Sequence, residues 1–216
     1  MRVNCVRFTL PVLALCLILA VPVFADTVSM TYQGHNGAPA LNGSPLIGYP
    51  YYFSINGSST QTALLCDSFD NNISVGQSWT ATATPFLQGI ANSMFGPSMT
   101  LDYKAAGLIF ESMLQNNIDR NTAQWAIWGL FSATAASDSY FLSNPSFAAV
   151  ESTYLALAAS APNSAYNGLV LYTPLNAQPG SGPQEFMGVP EPSSLILFGT
   201  GLVSLVGAVR RKLALA

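Results

Sequence analysis

Only 8% of the 216 residues are charged, against about 25% in an ordinary soluble chain. Charge is also one-sided between the apolar ends: residues 26–188 carry Lys104 and Arg120 against nine carboxylates, a net of −7, and two cations cannot neutralise a run of phosphates, which excludes nucleic acid as a partner. Those 163 residues are one domain's worth, enough to bury a single core without disulfide or metal staples.

The chain opens with Arg2 and Arg7, an apolar run over 8–23, and Val23-Phe24-Ala25. A positive start, an apolar stretch of this length and a small residue before the cut form a signal peptide over 1–25, cleaved after Ala25. The alternative is a retained N-terminal anchor. Cys16 follows Leu15 in mid-run, where a lipoprotein signal needs a small residue. Either way the domain is exported.

From 26 to 85 the punctuation is that of strands. Asn42-Gly43, Asn56-Gly57 and Asn71-Asn72 mark turns between runs rich in Tyr, Phe, Ile and Thr, and the strands are placed at 49–55, 62–70 and 77–84. Cys5 and Cys16 leave with the signal, so Cys66 is the one cysteine of the mature domain. An unpaired thiol in an oxidising compartment has three fates: burial, pairing between chains, or bonding to another group.

Helical periodicity follows. Tyr103, Ala106, Gly107, Phe110 and Leu114 share a face over 102–115, with Asp102 as N-cap. Further helices are expected at 121–132 and 145–159, the last with Pro145 in its first turn, before a strand at 168–172. Strands, three helices and a returning strand give an α+β domain, a β-sandwich or barrel with a helical insertion.

The second helix begins Asn121-Thr122-Ala123-Gln124-Trp125-Ala126-Ile127-Trp128. Its Gln-x-Ala-x-Trp pattern resembles the glutamine motif of bacterial thioester domains. The resemblance implies that Cys66, on an earlier strand, condenses with the Gln124 carboxamide and releases ammonia, leaving an acyl donor that captures an amine or hydroxyl once. Trp128 lies one turn beyond Gln124 on the same face and would shield the bond from water. Ala123 stands where the family has threonine, and Asp67 beside Cys66 disfavours the thiolate, although strand alternation points Asp67 to the opposite face. Two plainer readings stay open: Gln124 as the N3 residue of a capping box begun by Asn121, and Cys66 as a small buried hydrophobe.

Residues 174–188 hold Pro174, Pro179, Pro183, Gly180, Gly182 and Gly188 and read as an extended linker, within which 184–187 can add an edge strand. Pro190-Glu191-Pro192 then precedes an apolar stretch over 195–209 and the basic cluster Arg210, Arg211 and Lys212. Fifteen residues at about 1.5 Å each reach roughly 22 Å, short of a ~30 Å hydrocarbon core, but flanking serines and snorkelling arginines complete a transmembrane helix. The cations keep this tail's end in the cytosol and the domain outside. Over 189–212 the order of triplet, helix and basic stop resembles the PEP-CTERM sorting signal. The resemblance implies processing by exosortase, with the inner membrane as transient anchor, in bacteria that make exopolysaccharide.

Other chemistry finds little support. His35 is the lone histidine, so a Cys66–His35 hydrolase dyad has one way to arise and a zinc site lacks ligands. The acidic segment 67–72 matches no EF-hand spacing and reads as a solvated turn rather than a calcium loop. The expectation is a non-enzymatic surface or extracellular-matrix protein without cofactor or metal. It tethers covalently through Cys66 and Gln124 to an amine- or hydroxyl-bearing surface target, or acts as a structural, adhesive, exopolysaccharide-associated protein without covalent chemistry.

Overall fold

The computed structural model describes residues 26–35 and 48–189. The expected signal peptide, its Ala25 cut, the C-terminal helix and the residues Pro190 to Lys212 lie outside them. Among the described residues no helix is long and apolar enough to cross a membrane.

Six strands close a barrel in the ring order β1-β2-β3-β6-β5-β4. They are β1 (Asp26–Gly34), β2 (Tyr51–Ile55), β3 (Gln61–Cys66), β4 (Ser78–Pro85), β5 (Val170–Pro174) and β6 (Phe186–Gly188). Every pairing is antiparallel, so β1, β3 and β5 run one way and β2, β4 and β6 the other. In β1, Val28, Met30 and Tyr32 alternate with polar residues and point inward, the period-2 pattern of a strand with one wet face. This strand was not among those placed from the sequence. β3 stops at Cys66 rather than continuing to 70.

The insertion between β4 and β5 contains α1 (Phe86–Gly89), α2 (Thr100–Leu114), α3 (Arg120–Phe131), α4 (Ala133–Ala136), α5 (Ser139–Ser143) and α6 (Pro145–Ser160), with short 3-10 turns. The three long helices fall where periodicity predicts them, and Pro145 does occupy the first turn of α6. Two cap assignments are corrected. No side chain caps α2, whose first turn contains Asp102. Asp119, not Asn121, caps α3, accepting from the Thr122 N–H at 3.0 Å.

Two cores result. Val28, Met30, Tyr32, Phe53, Leu64, Cys66 and Phe186 fill the barrel. Leu65, Leu171 and Met187, on the outer faces of β3, β5 and β6, are covered by Tyr103, Ile109 and Phe110 of α2 and by Ala126 and Ile127 of α3. These strands are thus buried on both faces, which removes the alternation that would advertise them. The α2 helix approaches closely at Gly107, where a Cβ would stand 2.9 Å from the Phe86 ring.

Residues 174–188 are not a linker, and the domain does not end at 173. The Asn71 side chain accepts from the Gly180 N–H at 2.9 Å and donates toward the carbonyls of Gln178 and Gly182 at 3.0 and 3.1 Å. Gln184 donates to the Asn71 carbonyl at 2.7 Å. One buried asparagine replaces a strand's worth of partners, so a Pro/Gly-rich sequence folds back and delivers β6 between β3 and β5.

Glu151 on α6 packs against Gly129 of α3, where any Cβ would meet its carboxyl at 1.8 Å. Its buried Oε1 has no hydrogen-bond partner among the described residues, and desolvation pushes its pKa up to about 7 from 4.5. A raised carboxyl favours the folded state while protonated, so its contribution is complete below pH 4.5 and lost as pH rises to about 7. Melting curves across that range should show Glu151→Gln losing less stability than the wild type. Equal losses would contradict this assignment.

Candidate functional site

Cys66 ends β3 and is fully buried, as is Gln124 on the second turn of α3. The register explains their meeting. The Asp67 N–H donates to the Glu185 carbonyl at 3.3 Å, so the Cys66 carbonyl turns toward β2. That strand starts only at Tyr51, opposite Leu64, leaving the carbonyl without a strand partner. Gln124 Nε2 donates to it at 2.7 Å. The capping-box role for Gln124 is therefore overturned: Asp119 caps the helix, and the glutamine reaches across 58 residues to Cys66.

The polar inventory at this contact is incomplete. Gln124 Oε1 is buried with no donor among the described residues. The Trp128 indole N–H has no hydrogen-bond partner among the described residues, but it lies near enough to the Cys66 sulfur to favour its anion. Phe69 at 5.1 Å and Trp125 at 5.4 Å between ring centroids hold the Trp128 ring in place. The thiol itself donates to the Ser68 carbonyl at 3.6 Å. Burial first, and the Asp67 charge second, push Cys66 up to about 12, with Trp128 and Ser68 pulling the other way. At neutral pH the thiol is protonated. Attack on the carboxamide therefore needs the sulfur proton to travel to the departing nitrogen, a transfer that separates no net charge in a low-dielectric site.

The segment after β3 is not the solvated turn expected. Asp67, Ser68 and Asn71 are buried, Asn71 holds residues 178–182, and Asp70 accepts from Ser132 at 2.7 Å. Among the described residues no group of three or more His, Cys, Asp or Glu side chains can hold a metal. His35, just past β1, makes no hydrogen bond to Cys66, and its buried Nδ1 has no partner among the described residues. Two surface grooves of about 440 and 570 Å³ are lined by other residues, the first including Tyr49 and Arg120 and the second Glu111 and Tyr154.

Sequence reasoning missed a second buried cluster one residue away. Glu185 accepts from the hydroxyls of Tyr103 and Thr173 and from the Met94 N–H at 3.0 Å, and Asp67 faces it. Tyr103 and Glu185 are 82 residues apart, so no local spacing announces them.

In comparison with known proteins, residues 188–212 match the PEP-CTERM protein-sorting motif. No curated protein and no solved structure matches the chain.

Proposed function

We propose that this chain is an exported protein, processed by exosortase through its C-terminal signal, whose barrel forms an internal Cys66–Gln124 thioester for covalent attachment. The PEP-CTERM motif at 188–212 supports export of a membrane-transiting precursor and an exosortase as its processing partner. The thioester rests on one observation, the 2.7 Å hydrogen bond from the Gln124 carboxamide to the backbone carbonyl of Cys66, with both residues fully buried. Anchoring the carboxamide on the residue that carries the thiol makes their reaction an intramolecular step rather than a chance encounter.

In that step the thiol sulfur bonds to Gln124 Cδ, the C–N bond breaks, and the thiol proton leaves with the nitrogen as ammonia. An incoming amine or hydroxyl later displaces the sulfur, restoring the Cys66 thiol and leaving an amide or ester on Gln124. Each molecule acts once, so this is attachment rather than enzymatic turnover. Surface polymers and proteins bearing amines or hydroxyls are the target class, with the cell surface or extracellular matrix as destination. A structural or adhesive role without covalent chemistry is the second reading, favoured by the protonated state of the Cys66 thiol.

Sorting is tested separately. Glu191→Ala should leave the precursor in the membrane fraction, with its C-terminal segment still attached. Because β6 completes the barrel as far as Gly188, the C-terminus of the released wild-type protein should lie beyond that residue. Normal release of the Glu191 variant would count against recognition of the triplet.

A further inference from the structure

Asp67, just past the end of β3, and Glu185, just before β6, are the register pair next to Cys66↔Phe186. Both are completely buried. Neither Asp67 oxygen has a hydrogen-bond donor among the described residues, yet its carboxyl faces that of Glu185. Two carboxylates are both acceptors and repel at contact; they become hydrogen-bonded only if one carries a proton. Among the described residues, the other groups around them supply no positive charge. Tyr103 from α2, Thr173 from β5 and the Met94 N–H all donate to Glu185, and the neighbouring titratable group on β3 is the neutral Cys66 thiol. Lys104 and Arg120 lie over the rings of Tyr166 and Tyr49 instead.

We propose that Asp67 and Glu185 share one proton, and that this acid pair is the positioning element for Cys66, latching β6 to β3 beside it. With three donors already on Glu185, the carboxylate is the glutamate and the acid is Asp67, which donates across the strand pair. The latch acts where β6 is shortest of support: the strand has three residues, and two of them pair with Leu65 and Cys66. Loss of the shared proton puts two negative charges across this pairing, loosens β6 and opens the wall around the Cys66–Gln124 contact. The consequence for Cys66 rests on the thioester reading; the latch itself does not.

The sign follows from burial. Asp67 is raised well above 3.8, by desolvation first and Glu185 second. The unfolded chain therefore releases the proton from about pH 4 upward while the folded chain keeps it, and stability falls with pH until the folded group also ionises. Asp67→Asn keeps a donor toward Glu185 at every pH. Thermal melts of the exported protein from pH 4 to 9 should show the wild type losing stability faster than Asp67→Asn; Glu151 titrates in both and cancels in the difference. Glu185→Gln removes the second of these causes but leaves Asp67 buried and titratable, so it should flatten the profile only in part, and it serves if Asp67→Asn does not accumulate.

The second readout is methylamine uptake at Gln124. The amine's own ionisation cancels in the ratio of wild-type to variant rates, and that ratio should rise with pH, by at most about tenfold per pH unit for a single proton. Parallel melting profiles, or a ratio independent of pH, would overturn the latch. Absence of the ammonia loss would instead sink the thioester and leave the melts to decide on the shared proton.

Discussion

Cys66→Ala and Gln124→Ala will each abolish methylamine uptake completely and remove a mass deficit of one ammonia from the exported protein. The wild type should be lighter by that amount than expected from its composition, after allowing for the same processed ends and the substituted side chain. The all-or-none character follows from the chemistry, because the bond needs both the Cys66 sulfur and the Gln124 carbonyl carbon. Trp128→Phe should form the bond more slowly, since it retains an aromatic shield but loses the indole N–H that lies near the sulfur. A free thiol at Cys66 in native protein of full mass would eliminate covalent capture and leave the adhesive reading.

The largest effect on stability is expected at Phe186. Its ring is fully buried and packs at 4.7 Å from Phe53, 5.4 Å from Tyr51 and 6.4 Å from Trp79 between centroids. Truncating a buried phenylalanine to alanine costs about 3–5 kcal/mol, against a total of about 5–15 kcal/mol for a domain. Denaturant titration should therefore shift strongly for Phe186→Ala. Leu142→Ala, at a residue 68% exposed, should stay within about 0.5 kcal/mol of the wild type. Equal shifts for the two would mean that β6 does not close the barrel.

The three long helices and most strands were legible because their patterns are local. Ala106, Ile109, Phe110 and Met113 repeat at helical spacing, and Tyr51 and Phe53 alternate with less buried neighbours. The Cys66–Gln124 pair was legible as a motif, although the sequence alone left Gln124 equally fit for a helix cap. What settles that ambiguity is Asp119, two residues before the Asn121 at which the cap was sought. Residues 174–188 misled because proline and glycine report backbone freedom and say nothing of distant partners. Asn71, more than 100 residues earlier, supplies those partners. The Glu185 cluster was hidden for the same reason: its donors come from α2, β5 and the segment before α2.

The alternating strand directions also orient the molecule. β1 starts and β6 finishes toward one rim of the ring, whereas β3 finishes at Cys66 toward the other. Only Val189 separates the last strand from the sorting triplet. In a membrane-transiting precursor the rim that carries Cys66 is therefore the one opposite the rim leading into the sorting motif.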